Sequence, residues 1–421
     1  MMIQRGLSGK RLLILGSNVY KDLIEEAARE MGLEIIFAGL YPGVLDDIAD
    51  EVYRIDTTDP GVMIPFIKTH NIDGIYLGAS ELIISSACGY VNQLGYPCYY
   101  TESQWKLLQN KSEFKKLCAK YDLPVVKEYA YKELDEDCFP VIVKPVDGCG
   151  SKGLALVNNN QQLQSAYMAA CKVSSSGKAI IEKKVKNDAI YQYYNIFDGK
   201  LVSMLSEDTY GVSDPSGSFT KSLYLAPSRR ERAFRDKFED KISQMLAGIG
   251  IKNGEIWFEV FVDSGRYFFN ECGLRPAGHF SMLPVYYYSH INQLSSYFYY
   301  ALTGKSLPMT YPKLLNLDNQ SSNYGVLPIH CYKGTIGKID YSNLLEENQQ
   351  IVKVSFQKNV GDTIVDDKDF SSIVCFVHFK YNDSNDCMRI IQIIHSTLSI
   401  NDINNNNMIN TAFNMVEEKS F

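Results

Sequence analysis

Glu259 and Glu271 lie twelve residues apart in Trp257-Phe-Glu-Val-Phe-Val-Asp-Ser-Gly-Arg-Tyr-Phe-Phe-Asn-Glu271-Cys-Gly-Leu-Arg275. The segment reads as two apolar strands around Asp263-Ser264-Gly265, which suits a three-residue hairpin loop with Gly265 left-handed. That register sets Val262 opposite Arg266 and Glu259 opposite Phe269, and it makes Glu271 a diagonal neighbour of Glu259 on one face. Two carboxylates on one face of an aromatic hairpin repel and resist burial. A bridging divalent cation removes that penalty, and hard oxygen ligands suit magnesium, with manganese as the alternative. The plainer reading is that one or both face solvent. Asn270, next to Glu271, belongs on the opposite face of a regular strand. Arg275 follows four residues after Glu271, where a guanidinium stabilises phosphoryl or acyl-phosphate charge.

A second chemical segment lies upstream. A buried-type strand ends in Lys144, and a glycine-rich loop with Gly148, Gly150, Ser151, Lys152 and Gly153 leads into another strand. Glycines let backbone N–H groups approach phosphate oxygens, and lysine adds a point charge. Strand–loop–strand differs from the strand–loop–helix of Walker A or dinucleotide motifs. Taken alone, the loop is equally a mobile turn.

Taken in order, these segments resemble the ATP-grasp superfamily, especially its carboxylate–amine ligase and biotin carboxylase-like branch. Asn110-Lys111-Ser-Glu-Phe-Lys resembles the first nucleotide-lysine segment, and Ile180-Ile-Glu182-Lys183-Lys-Val185 resembles the adenine-binding hinge. The resemblance spans roughly residues 11–304. It implies that Lys111 and Lys144 contact ATP phosphates. Glu182 then accepts from the adenine amino group, the backbones of Lys183 and Val185 read the ring edge, and Phe261 packs on the base. Glu259 and Glu271 hold magnesium, and Arg275 steadies an acyl phosphate. Two positions depart from the pattern. Gly273 stands where a third metal ligand, Asn, is usual, and Ala189 stands where an acidic ribose ligand is frequent, with Asp188 beside it as a substitute.

The implied activity is an ATP-dependent ligase joining a carboxylate to an amine through an acyl phosphate, with ATP and Mg2+ as cofactors. The alternatives are activation of bicarbonate or formate and a catalytically weakened regulatory module. Glu81, Lys221 and His279 are the candidate substrate contacts. Their plainer readings are a first-turn helix acid for Glu81 and a structural histidine for His279. Small acids and amines are the expected partners, with a homodimer compatible.

The rest of the chain must position these groups. At 421 residues, 45% hydrophobic and 22% charged, it is ordinary for a multidomain globular protein. A net charge of −7 argues against general nucleic-acid or anionic-membrane binding. Ten cysteines without a C-x-x-C pair point to free thiols in a reducing cytoplasm. Alternating strand and helix patterns predict an N-terminal doubly wound parallel α/β domain over 1–110. A two-part ATP-grasp domain follows over 111–304, its lid at about 124–186. Glu207–Ser222 reads as a polar substrate loop. Residues 305–402 read as an antiparallel β-rich domain that includes an alternating stretch at Arg389–Ile394. Residues 403–421, with the Asn404–Asn407 run, read as a disordered tail.

Overall fold

A computed structural model describes residues 6–16, 20–147, 152–186, 188–213, 219–307, 323–367 and 370–411 of the chain. Four parallel strands open it: β1 (Arg11–Leu15), β2 (Glu34–Ala38), β3 (Glu51–Tyr53) and β4 (Gly74–Tyr76), in the order β3-β2-β1-β4. Strand β1 is apolar from Leu12 to Leu15 because both its faces are covered. Leu13 and Leu15 enter one core cluster, and Leu12 and Ile14 enter another. Helix α1 (Lys21–Met31) ends at Gly32, whose φ of 70° supplies the left-handed stop. Helices α2 (Pro60–Thr69), α3 (Glu81–Gln93), α4 (Glu102–Gln109) and α5 (Lys111–Lys120) follow, with a capping box between Thr101 and Gln104 fixing the start of α4.

Next comes a small antiparallel sheet, β5-β8-β6-β7. It consists of β5 (Glu128–Tyr129), β6 (Val141–Pro145), β7 (Ala155–Val157) and β8 (Ala179–Lys183), with α6 (Asn160–Val173) packed on it through Leu163 and Ala170. The remaining chain builds an eight-stranded antiparallel sheet from β9 (Ala189–Phe197), β10 (Lys200–Ser213), β11 (Phe219–Ala226), β12 (Gly254–Asp263) and β13 (Arg266–Gly273), joined by β14 (Asn323–His330), β16 (Ile351–Phe356) and β18 (Ile373–Tyr381). Its order is β13-β12-β9-β10-β11-β14-β18-β16, so the sheet runs without a break from the central region into the C-terminal one. Helix α7 (Glu231–Gly248) covers one face, while α8 (Met282–Ser289) and α9 (Gln293–Thr303) lie toward the N-terminal unit. A three-stranded sheet of β15 (Gly334–Asp340), β17 (Thr363–Ile364) and β19 (Ser399–Asp402), with α10 (Ser342–Glu347) and α11 (Ser384–Thr397), completes the described chain. Among the described residues no helix is long and apolar enough to cross a membrane.

Three expectations are corrected. The Glu207–Ser222 stretch is mainly strand: β10 runs to Ser213 and pairs with β11, while Glu207 and Asp208 are buried. The alternation at Arg389–Ile394 belongs to helix α11, whose Cys387, Ile390, Ile391 and Ile394 face the core at helical spacing. The tail expected from 403 is ordered through Thr411, because Met408, Ile409 and Asn410 are buried and Ile409 bridges to Cys331. Residues 412–421 lie outside the described residues.

The hairpin carrying the two glutamates differs in register from the three-residue loop. Asp263 pairs with Arg266 across a two-residue turn, in which Ser264 and Gly265 have φ of 52° and 75°. Val260 opposes Phe269 and Glu259 opposes Glu271, so Asn270 is the extra residue of a bulge. Phe269 and Cys272 remain in the helix-covered core, while Asn270 turns its amide toward Glu259 on the other face. The expectation that Asn270 points away from Glu259 is therefore wrong, since the bulge breaks the two-residue alternation. Gly273 pairs with Trp257, and a Cβ there would lie 2.3 Å from the indole ring. An asparagine at this position has no room beside Trp257. Gly273→Asn is predicted to lower stability by about 1–3 kcal/mol through overpacking. Urea unfolding checks it, and an unchanged midpoint and slope would remove the steric explanation.

Candidate functional site

The site is a line of alternating charge across three elements. Helix α5 presents Lys111 and, one turn later, Lys115. Its first turn is fixed by Asn110, whose side chain accepts from the N–H groups of Ser112 and Glu113. The Lys111 N–H donates to the Val146 carbonyl at 3.0 Å, tying the helix to the end of β6. Lys144 on β6 and Glu182 on β8 are adjacent across the small sheet, with Ile142 opposite Glu182 and Lys144 opposite Ile180.

Glu182 is buried and paired with two lysines, Lys144 at 2.9 Å and Lys115 in closer contact. Lys144 also donates to Asn270 Oδ1 at 3.0 Å. Asn270 Nδ2 donates to Glu259 Oε2 at 2.6 Å. Glu259 Oε1 accepts from Tyr191 at 2.7 Å and pairs with Lys221 at 2.8 Å. Lys111 sits 3.5 Å from Glu271, whose side chain is one-third exposed.

Burial pushes the Lys144 ammonium down to about 8, aided by nearby Lys111 and opposed by Glu271 and Glu259. Burial also holds Lys115 well below the usual lysine range, with Lys144 and Lys111 adding repulsion. For Glu259, burial favours the neutral acid, but the charge of Lys221 and the hydrogen bonds from Lys221, Tyr191 and Asn270 outweigh it and lower its pKa. For Lys221, burial favours the neutral amine, and Glu259 reverses that, so its pKa rises.

Arg275 leaves the end of β13 and pairs with Glu81 in the first turn of α3. Its guanidinium also donates to the Pro276 carbonyl at 2.9 Å and stands 5.4 Å over the Trp257 ring. Glu81 therefore does more than favour a helix start: it joins the N-terminal unit to the Arg275 turn. His279 is buried four residues on, with its ring stacked on Tyr224 at 4.1 Å and Nε2 2.8 Å from Glu207.

The structure thus brings together Lys111, Lys144, Glu182, Glu259, Glu271 and Lys221. Lys183 and Asp188 are exposed and Val185 half-buried at the hinge, and the Asp188 carbonyl accepts from Val262 N–H at 2.7 Å. Phe261 is half-buried opposite Ala189, two residues from Glu259 along β12. Lys152 is exposed, and Gly153 has a φ of 73° with Pro145 and Val173 beside it. Gly148, Gly150 and Ser151 lie outside the described residues.

Sequence reasoning passed over Lys115, Tyr191 and Glu207, and placed Asn270 on the wrong face. The i, i+4 spacing from Lys111 was a readable signal for Lys115. Glu207 and Tyr191 gave none, because their meeting partners come from other strands.

Among the described residues no group of three or more His, Cys, Asp or Glu side chains could hold a metal ion. The pair Glu259 and Glu271, directly opposite across β12 and β13, is nevertheless an oxygen-donor set with the amide of Asn270 beside it. Lys221 and Lys111 already place positive charge on these carboxylates. Such a set fits magnesium, which takes one or two protein carboxylates and fills its shell with phosphate and water.

Residues 138–282 match the model of the ATP-grasp domain. The formate-dependent phosphoribosylglycinamide formyltransferase of Saccharolobus solfataricus is 26% identical over 290 residues, covering 63% of this chain and 70% of that protein. An L-amino acid ligase from Bacillus licheniformis superposes with a TM-score of 0.75 at 18% identity, covering 94% of this chain and 99% of that one. A biotin carboxylase from Campylobacter jejuni superposes with a TM-score of 0.72 at 17% identity, covering 97% and 94%. Residues 138–282 thus carry an ATP-grasp domain, and nearly the whole chain shares its fold with the amino acid ligase and the biotin carboxylase.

Proposed function

We propose that this chain is an ATP-dependent ligase that converts a small carboxylic acid to an acyl phosphate and passes the acyl group to an amine, releasing ADP and phosphate. The observation that carries the reading is the buried series Lys115–Glu182–Lys144–Asn270–Glu259–Lys221. It runs from the hinge to the carboxylate pair, with Arg275 anchored at the mouth of the N-terminal unit.

In this reading Lys111 and Lys144 face ATP phosphates, together with Gly148, Gly150, Ser151, Lys152 and Gly153. Glu182, Lys183, Val185 and Phe261 surround the adenine, and Asp188 serves the ribose. Glu259 and Glu271 hold the magnesium ion, which, when bound, neutralises phosphate charge and polarises the transferred group. Asn270 supplies a nearby amide where Gly273 carries no side chain, so the departure at Gly273 does not argue for a weakened regulatory module. Arg275 lies where charge develops on the acyl phosphate, and its planar fork suits a carboxylate or phosphate. The Glu81 carboxylate now paired with it is a place-holder for the acid substrate. The protein acts by holding reactants and meeting charge with preorganised donors; no side-chain nucleophile is required.

A second reading, in which formate is the acid, draws on the similarity to formate-dependent formyltransferases. ADP release measured against a panel of amino acids, formate and bicarbonate, with and without an added amine, tests both. Turnover that needs an acid and an amine supports the ligase, and absence of acid-dependent turnover throughout the panel counts against it.

Glu271→Ala is expected to reduce acid-dependent ATP turnover by about 10²–10³-fold, the scale set by loss of one preorganised electrostatic contact. Near-parental turnover at saturating magnesium would exclude the metal role. A pH dependence follows from Lys144. Its ammonium is fully charged below about 8 and lost as pH rises through that value. ATP binding raises its proton affinity, so nucleotide affinity measured by calorimetry weakens as pH climbs above about 8. Lys144→Arg, charged throughout, is expected to flatten that limb; an identical limb in the variant would assign the titration elsewhere.

A further inference from the structure

His279 is held by groups from three strands of the large sheet. Glu207 on β10 and Tyr193 on β9 both meet its Nε2, at 2.8 Å and 2.9 Å, and Tyr193 donates to the same Glu207 oxygen at 2.8 Å. Tyr224 on β11 stacks flat on the ring, with 5° between the planes. Tyr191, which hydrogen-bonds Glu259, stands edge-on to the imidazole at 5.9 Å. The histidine is therefore one aromatic ring away from the carboxylate pair and four residues from Arg275.

Glu207 is fully buried. Among the described residues no lysine or arginine pairs with it, and its Oε1 has no hydrogen-bond partner. A buried carboxylate without a cation is costly, and one hydroxyl offsets little of that. The ring donor within reach of this carboxylate is Nε2 of His279. A neutral ring that donates from Nε2 carries its lone pair at Nδ1, and among the described residues Nδ1 has no hydrogen-bond partner. Carboxylate, imidazole and free ring nitrogen in this order match a base oriented by a third group.

We propose that His279 is the base for the second half of the reaction, with Glu207 and Tyr193 as positioning residues. This rests on the ligase reading above. The amine nitrogen attacks the carbonyl carbon of the acyl phosphate, forming the C–N bond as the bond from carbon to the phosphate oxygen breaks. The surplus proton on nitrogen passes to Nδ1, where Glu207 stabilises the imidazolium, and is returned to the departing phosphate, which leaves as hydrogen phosphate. The first half-reaction, phosphoryl transfer to the acid, has no use for this base.

The test separates the halves. Hydroxylamine is largely unprotonated at neutral pH and attacks acyl phosphates without a base, giving a hydroxamate. Parent, His279→Ala and His279→Gln are incubated with magnesium-ATP and each of the twenty amino acids, formate and bicarbonate, and either hydroxylamine or the same amino acids as amines. The glutamine variant keeps a donor toward Glu207 and guards against loss of folding, which thermal unfolding monitors. In both variants amide formation is expected to fall by about 10²–10⁴-fold, the usual range for a general base. Hydroxamate formation is expected to stay within about threefold of the parent. Parallel loss of both products in folded His279→Gln, or amide formation at the parental rate, overturns the role of His279. A parent chain that yields no hydroxamate with any acid sinks the ligase reading, and this role with it.

Discussion

Burying many charges in one place without leaving any unpaired is the constraint on which the site depends. Lys115, Glu182, Lys144, Asn270, Glu259, Tyr191 and Lys221 form one hydrogen-bonded and ionic series across α5, the small sheet and the large sheet. Removing one member leaves a buried charge without its partner, which typically costs several kcal/mol. The series therefore specifies how the small sheet meets the hairpin. It also fixes these lysines and carboxylates in advance, which is the preorganisation that the proposed phosphate and cation binding requires.

The bulge at Asn270 makes this series continuous. With strict alternation after Phe269, which packs on Phe234 and Phe238, Glu271 would face that core and Cys272 the opposite side. One extra residue keeps Phe269 and Cys272 in that core while the amide bridges Lys144 and Glu259. On the same hairpin, Trp257 fills the space over Gly273 and supports the Arg275 guanidinium. The hairpin thus carries an amide beside Glu259 at position 270 and no room for one at position 273. Reading the segment position by position misses this arrangement.

The large sheet extends the site sideways. Strands β9, β10 and β11 line up Tyr191, Tyr193, Glu207, Lys221 and Tyr224 beside β12, so the aromatic and charged groups around His279 share a scaffold with Glu259. Because β11 pairs with β14, the C-terminal strands buttress this scaffold. The N-terminal unit is tied in separately, through Arg275 to Glu81 and through Tyr20, which donates to the Ala277 carbonyl at 3.0 Å. The turn after β13 is consequently anchored from both sides.

The chain by itself determined what periodicity and local chemistry encode. The strand positions of β1, β2 and β16, the helix at Lys21–Met31, and the order of the lysine, glycine-rich, hinge and glutamate segments were legible because each is written within a few residues. Tertiary structure decided what depends on register and on distant partners. The two-residue turn at Ser264-Gly265 and the bulge at Asn270 are choices among loops of similar local propensity, settled by packing of Phe269 and pairing of Glu259. Arg389–Ile394 became helix because the apolar face over Cys387–Ile394 fits the core, overriding a short alternating pattern. Glu207 read as part of a polar loop because sequence shows a charge but not the histidine seventy-two residues away that meets it.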